Sequence, residues 1–281
     1  MDFNNKFEKS VKNTIKEYKL FTKKDKILVA CSGGKDSTVA LYLLNKWGYN
    51  VEGLIVDLEI GKYSQTNLDN TINFCKKHNV KLNVVSFRED FGYNKCKIEA
   101  ILKSKGTTLN SCSICGVLRR YMLNKKSREL GFDKIVTGHN LDDEAQAITM
   151  NFLRNTMNLQ SRLGPISGNI KDKKFIPRVK PLYFCLEDDI RKYSKSKGFV
   201  VLYDRCPCIV DSFRNKVRCI MNDLSNDSKV KKTIVKNFIK MLPELKKSQQ
   251  YTKELLSCSN CGEPTTEKIC TTCKILARLN S

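Results

Sequence analysis

An α/β fold is predicted, with a parallel sheet covered by helices on both faces, a helical C-terminal region and a small cysteine-rich tail. Three observations predict it. Short apolar runs alternate with stretches of helical period over the first two hundred residues. A glycine pair stands where the first apolar run gives way to the first such helix. Two Cys-x-x-Cys pairs crowd the C-terminal end. Parallel strands need long crossovers, and those crossovers place helices on both faces of the sheet.

Residues 2–22 read as a helix carrying Phe3, Phe7, Val11, Thr14, Ile15 and Tyr18 on one face, within an N-terminal segment 1–25. A main domain is expected over 26–210. It opens on a buried strand, 27–31, followed by Ser32-Gly33-Gly34-Lys35-Asp36-Ser37 and a helix that Gly48 closes. Residues 51–56 form the second strand, and a helix follows with Leu68, Ile72 and Cys75 on one face. Residues 82–87 form the third strand, 134–137 the fourth, and 142–154 a helix. From 156 to 181 the chain is polar, with Gly164, Pro165, Gly168 and Pro177, and reads as a loop or flap. Residues 187–197 are helical, ended by Gly198, and 200–203 read as a last strand.

A basic helical region is expected over 211–256. Its first helix, 212–224, buries Phe213, Val217, Ile220 and Leu224 and presents Arg214, Lys216 and Arg218. A second, 229–241, turns Ile234, Phe238 and Met241 inward, and Pro243 separates it from a further short helix. Residues 257–281 form the tail.

In an open parallel sheet, ligands bind at the carboxyl ends of the strands. That rule puts residues 32–37, Asp57 and residues 138–143 on one rim. The glycine pair brings bare amides to a helix N-terminus, where unpaired donors and the dipole favour an anion. Lys35 adds a charge, and Ser32 and Ser37 add hydroxyls. This is a phosphate cradle, but its spacing is not Gly-x-x-x-x-Gly-Lys-Ser/Thr. The bland reading is a tight turn with its charges in solvent.

The 281 residues carry a net charge of +22, which favours a polyanionic partner, nucleic acid before membrane surface. No run of about 18 apolar residues is present, so no membrane span is expected. The first residues lack the apolar core of a signal peptide, and a cytoplasmic location is expected. Thirteen cysteines without a secretion signal point to metal or redox chemistry rather than a disulfide framework.

Cys258, Cys261, Cys270 and Cys273 have the spacing of a closed tetrahedral zinc site with a structural role. Cys112 and Cys115, placed just before a helix expected to start at Gly116, form a second group with Cys206 and Cys208. A helix N-terminus there would favour thiolate. An iron–sulfur cluster with one open iron, a redox pair and a four-thiolate zinc site all suit that group. Cys31, Cys75, Cys96, Cys185 and Cys219 read as small buried hydrophobes.

Ser32–Ser37 alone resembles the PP-loop of ATP pyrophosphatases. Cys112-Ser-Ile-Cys115-Gly116 with Arg119-Arg120, the stretch from Thr137 to Gln146, and the terminal cysteine quartet follow in that order. Together they resemble the tRNA 2-thiolation enzymes of the PP-loop superfamily, the TtcA/TtuA type and its archaeal and eukaryotic cytoplasmic relatives. The resemblance implies an adenine nucleotide alpha hydrolase-like fold. It also implies adenylation of a base C2 carbonyl in tRNA by ATP with Mg2+, release of pyrophosphate, and displacement of AMP by sulfur. It places a [4Fe-4S] cluster on Cys112, Cys115 and Cys206, with Cys208 where relatives have a non-ligand residue.

By the same resemblance, residues 32–37 hold the phosphates, with Lys35 acting in catalysis, and Ala30 and Ile55 read adenine through backbone groups. Gly138 allows close approach, Asp143 binds metal or activates the base, and Arg119 stabilises the leaving phosphate. Free sulfide or a thiocarboxylated carrier protein is the implied sulfur donor, and a homodimer the implied assembly. Asp142 and Asp143 equally suit helix capping, and Arg119 a solvated face. His139 reads as structural. Relatives carry a further Cys/His zinc site before the PP-loop, whereas residues 1–25 contain neither residue type. Two rival functions are a PP-loop amidating or ligating enzyme, such as a lysidine-type tRNA synthetase or an NAD synthetase, and a zinc-stapled RNA-binding protein without sulfur chemistry.

Overall fold

The computed structural model describes residues 2–168, 174–204, 206–208, 213–224, 228–248 and 256–281. Six strands make the central sheet: β1 (Ile27–Cys31), β2 (Val51–Asp57), β3 (Leu82–Ser86), β4 (Lys134–Val136), β5 (Ile166–Ser167) and β6 (Arg178–Val179). Their spatial order is β3-β2-β1-β4-β6-β5, parallel throughout except for the antiparallel edge pair of β5 with β6. The order reverses between β1 and β4, which opens the binding crevice of a parallel sheet at the end of β1.

The two-residue period of β1 divides the core. Ile27, Val29 and Cys31 face one side with α1 (Phe3–Glu17), α2 (Lys35–Lys46), α3 (Gly61–Lys77) and α9 (Glu187–Ser196). Leu28 faces the other, against α5 (Lys95–Ser104), α6 (Ser111–Glu129) and α12 (Thr271–Asn280). A third apolar cluster joins α7 (Leu141–Leu153) to α10 (Phe213–Leu224) and α11 (Lys229–Ser248) through Ala145, Ile148, Val217, Met221, Val235 and Phe238. The tail adds a hairpin, β7 (Leu256–Ser257) with β8 (Pro264–Thr265), ahead of α12.

Several expected boundaries move. The first helix ends at Glu17 rather than residue 22. Lys19 takes a left-handed φ of 48°, and Leu20 and Phe21 turn into the core instead of continuing the helix. The third strand stops at Ser86, whose hydroxyl caps a short helix, α4 (Phe87–Phe91). The cysteine-bearing helix starts at Ser111, not Gly116, because Asn110 caps it through the Ser113 amide at 2.8 Å. The expected flap holds α8 (Met157–Gln160) together with β5 and β6, and β6 extends the sheet beside β4.

Residues 200–203 form no strand. They make a single parallel bridge, Gly34 with Leu202, and Val200 is 74% exposed. In α10 the buried position falls to Met221, and Ile220 is exposed; Ser212 and the side chain of Leu224 lie outside the described residues. Pro243 does not break α11, which runs through it with Val235, Phe238 and Leu242 inward and Met241 exposed. Contacts of Leu242 and Leu245 in the third cluster hold the second half of that helix in line. Cys31, Cys75 and Cys185 are buried as expected, whereas Cys96 and Cys219 are exposed. Among the described residues no helix is long and apolar enough to cross a membrane.

Candidate active site

The Ser32–Ser37 loop joins β1 to α2, with Gly34 as the N-cap residue, so the first amides of α2 point out of the sheet rim. Within the loop the Ser32 amide donates to Ser37 Oγ at 3.1 Å, and Ser37 Oγ donates to the Gly34 carbonyl at 3.2 Å. Gly33 takes φ +76°, and a Cβ there would lie 2.5 Å from the Asn67 Cβ of α3. Gly138, at the end of β4, backs onto the loop so closely that a Cβ would stand 2.7 Å from the Ser37 nitrogen. Both glycines are required by space, at Gly33 also by backbone conformation.

Lys35 is almost buried and sits between Asp36 and Glu187, each at 3.0 Å. Burial alone would lower its pKa, but the two carboxylates outweigh burial and raise it, so the ammonium stays charged. Glu187 also accepts from Arg218 at 2.8 Å, tying α9 and α10 to the loop. Arg218 is thereby turned toward the site; Arg214 and Lys216 are exposed as expected, although the Arg214 guanidinium also reaches Asp143 at 3.7 Å. Asn140 Nδ2 donates to Asp36 Oδ1 at 3.0 Å.

Asn140 and Asp143 form a reciprocal capping box at the start of α7. The capping role foreseen for Asp143 is therefore real, but its carboxylate also opens on the rim, 3.7 Å from Arg214. The surrounding protein pushes its pKa up to about 6 despite Arg214, with Asp36 adding to the rise. Asp142 serves structure, accepting the Glu187 amide and the Lys231 ammonium, each at 2.8 Å. The His139 ring opens on this crevice and shares a 2.8 Å hydrogen bond with Thr137 Oγ1. Crowding by protein first, then Lys180, Arg214, Arg119 and Arg178, holds its imidazole neutral, down at about 3. Of these cations Lys180 is itself buried in an ion pair with Glu144 at 2.7 Å, and Arg119 lines the cavity beside the loop.

Beside the loop lies a cavity of about 230 Å³ lined by Ser32, Ile55, Asp57, Tyr63, Asn67, Lys95, Ser111, Cys112, Cys115, Arg119, Cys206 and Cys208. It joins the strand ends to the second cysteine group. Ile55 stands in register beside Cys31, and Ala30 one residue before it. Cys112 and Cys115 occupy the first turns of α6, three residues apart and hence on one face. Arg119, one turn further on the same helix, lines the same cavity as Cys115. The expected lowering at Cys115 is reversed: burial raises its pKa more than Arg119 lowers it. Cys206 approaches from the segment that bridges to Gly34. Arg205, in the expected Asp204–Pro207 motif, lies outside the described residues.

These thiols do not close on a point. Among the described residues one group of three or more metal-type ligands falls within 4.8 Å of one another, and it is Cys258, Cys261, Cys270 and Cys273. There Cys261 and Cys270 sulfurs are 3.7 Å apart, close to the ~3.8 Å edge of a tetrahedron with 2.3 Å metal–sulfur bonds. The Cys270 and Cys273 amides donate to sulfurs at 3.3 and 3.4 Å. The quartet thus fits a single tetrahedral ion. The wider Cys112, Cys115 and Cys206 arrangement fits thiolates on separate irons of a cluster better than one zinc. The tail is bound to the cysteine helix: Glu263 accepts from Asn124 at 2.8 Å and from Arg128. Ile275 and Leu279 pack with Ile114 and Leu118.

Sequence reasoning missed Asn67, Lys95, Ser111 and Glu187. Buried polar positions Asn67 and Thr71 in an amphipathic helix were the available signal for Asn67. Nothing local marks the other three.

A sequence model of the PP-loop domain family matches residues 3–224. The chain is 35% identical, over 97% of its length and 85% of the relative's, to the tRNA-5-methyluridine(54) 2-sulfurtransferase of Pyrococcus horikoshii. It is 32% identical to the cytoplasmic tRNA 2-thiolation protein 1 of Drosophila mojavensis, over 98% of this chain and 80% of that one. Among solved structures it is similar to the U34-tRNA thiolase NcsA of Methanococcus maripaludis with its [4Fe-4S] cluster. The TM-score is 0.79 at 29% identity, covering 97% of this chain and 87% of that one.

Proposed function

The chain belongs to the PP-loop family, among its tRNA 2-thiolation enzymes, and from that premise we propose that it converts a tRNA uridine to 2-thiouridine at the expense of ATP. One observation carries the reading. Ser32, the first residue of the anion-binding loop, and Cys112, Cys115 and Cys206 line one cavity, so activation and sulfur transfer would take place side by side.

The C2 oxygen of uridine is a poor leaving group until it is adenylated. The amides of α2, Ser32, Ser37 and Lys35 hold the triphosphate, and Ala30 and Ile55 offer backbone groups to adenine. Asp143, whose carboxylate opens on the rim, would hold Mg2+, which when bound would neutralise phosphate charge. Arg119 and Arg214 neutralise charge that builds as AMP departs. Cys112, Cys115 and Cys206 would hold a [4Fe-4S] cluster, which when bound would carry the sulfur for transfer. Cys258, Cys261, Cys270 and Cys273 hold Zn2+ and brace α6 from behind. The exposed basic residues of α10 and α11 give the tRNA backbone its contacts. A lysidine-type enzyme has no use for thiols in this cavity.

Anaerobic purification with iron, sulfide and zinc analysis tests the reading, followed by mass spectrometry of nucleosides from tRNA incubated with ATP and sulfide. The expected result is about four irons per chain and a 2-thiouridine that requires ATP. ATP-driven ligation without sulfur incorporation would sink the proposal.

A further inference from the structure

Lys95 places a buried ammonium in the wall of the sulfur cavity, and the chemistry proposed above leaves it without a role. It is 4% exposed and lines the cavity together with Ser111, Cys112, Cys115 and Cys206. Its Nζ donates to Glu99 Oε2 at 2.6 Å and to Ser111 Oγ at 2.5 Å. Ser111 Oγ donates in turn to the same Glu99 oxygen at 2.8 Å, which closes a triangle. Lys103 holds the other Glu99 oxygen at 2.8 Å. Burial alone would raise the Glu99 carboxyl, but Lys103, Lys95 and Ser111 bring it down to about 2, so it stays ionised. Two ammoniums share one carboxylate, which leaves the group net positive.

The triangle joins three elements. Lys95 opens α5, and its amide donates to the Leu58 carbonyl at 3.1 Å, one residue past the rim end of β2. Glu99 stands one turn further along α5. Ser111 is the first residue of α6, next in the chain to Cys112 and one turn before Cys115. Positions 111 and 115 share a helix face, so the hydroxyl that Lys95 and Glu99 hold also fixes the face that presents Cys115. The Asn110 cap fixes only the backbone of that turn, through the Ser113 amide. An apolar side chain would line this wall without the desolvation penalty of an ammonium, so the charge itself calls for a use.

We propose that Lys95 is a positioning residue for the sulfur site: through Ser111 it fixes the turn of α6 that carries Cys112 and Cys115, and its charge offsets the negative charge gathered there. The proposal rests on the thiolation reading, in which Cys112, Cys115 and Cys206 hold a [4Fe-4S] cluster. Groups that orient metal ligands from behind alter metal retention, and nearby charge sets the potential of a cluster.

The test uses the full-length protein, reconstituted anaerobically with iron and sulfide. It reads the rate of iron loss to a chelator, the midpoint potential in a spectroscopic redox titration, and the zinc retained. Lys95→Met removes the charge, and Glu99 keeps Lys103 as its partner. This variant should lose iron on the order of tenfold faster, with its potential moved to more negative values. Ser111→Ala removes only the hydroxyl; it should share the faster iron loss and keep a potential near that of wild type. Zinc should stay at the wild-type level in both, because the tail is anchored further along α6, on Asn124 and Arg128. Wild-type iron loss in either variant, an unmoved potential in Lys95→Met, or iron loss matched by zinc loss overturns the inference. If Lys95→Met does not fold, the iron-loss rate of Ser111→Ala decides alone. Wild-type protein that holds no iron would sink the cluster reading itself; a loaded wild type with unaltered variants sinks only this inference.

Discussion

Replacing Gly138 with alanine drives a methyl group into the first turn of α2. The new Cβ would stand 2.7 Å from the Ser37 nitrogen and 2.9 Å from the Asp36 carbonyl carbon. Both are backbone atoms, so no side chain can swing aside. Restoring an ordinary 3.4 Å contact moves that turn away from β4 by about 0.7 Å. Overpacking of this kind costs about 1–3 kcal/mol, or roughly 2–6 °C in a domain this large. The same movement shifts the amides that hold the phosphates, and displacements approaching 1 Å cost on the order of ten- to a hundredfold in rate. Calorimetry and tRNA-dependent pyrophosphate release measure the two effects. Gly34→Ala is the internal contrast for stability, since its Cβ would meet only Ser32 Oγ, at 3.5 Å. A Gly138→Ala protein with wild-type melting temperature and turnover, or one no less stable than Gly34→Ala, would refute the steric reasoning.

The Asp143 carboxyl titrates near 6 in the fold, above the ordinary carboxylate value, so its stabilising contribution is present at acid pH and lost as pH rises through about 6. Asp143→Asn should therefore gain melting temperature relative to wild type between pH 4 and 7 while losing Mg-dependent ATP turnover; parallel melting curves across that range would contradict the shift. Cys261→Ser should abolish zinc binding and lower the melting temperature, because the tail that packs Ile275 and Leu279 on α6 depends on the quartet. Metal analysis and calorimetry together read this, and an unchanged melting temperature in zinc-free protein would show that the tail folds without its ion. Pro243→Ala should stabilise the chain by about 1–3 kcal/mol, since α11 already runs through that exposed position and alanine restores an amide donor. A loss of stability there would mean that the proline ring itself packs favourably.

Local pattern located most of the sheet, since a buried strand and the helix that follows it carry their signal in adjacent residues. Ile27–Cys31, the Ser32–Ser37 loop and α2 were legible for that reason. Where the pattern failed, a distant contact had decided. Arg178–Val179 is a strand only because β4 offers it a free edge, and Val200–Tyr203 is not one because Gly34 offers a single bridge. Pro243 stays within a helix because apolar contacts on its neighbours outweigh the lost hydrogen bond.

The division holds for chemistry as well. By itself the sequence determined the chemical types: a glycine pair for an anion, spaced thiols for metals, and a basic C-terminal region for a polyanion. The tertiary structure alone decided which groups meet. It joined Lys35 to Glu187 across 152 residues, set Gly138 against the loop, and separated four converging thiols from three that open on a cavity. The physical reason is that backbone conformation and ligand spacing are set within a few residues. Burial, charge pairing and the shape of a cavity are set by whatever the fold brings alongside.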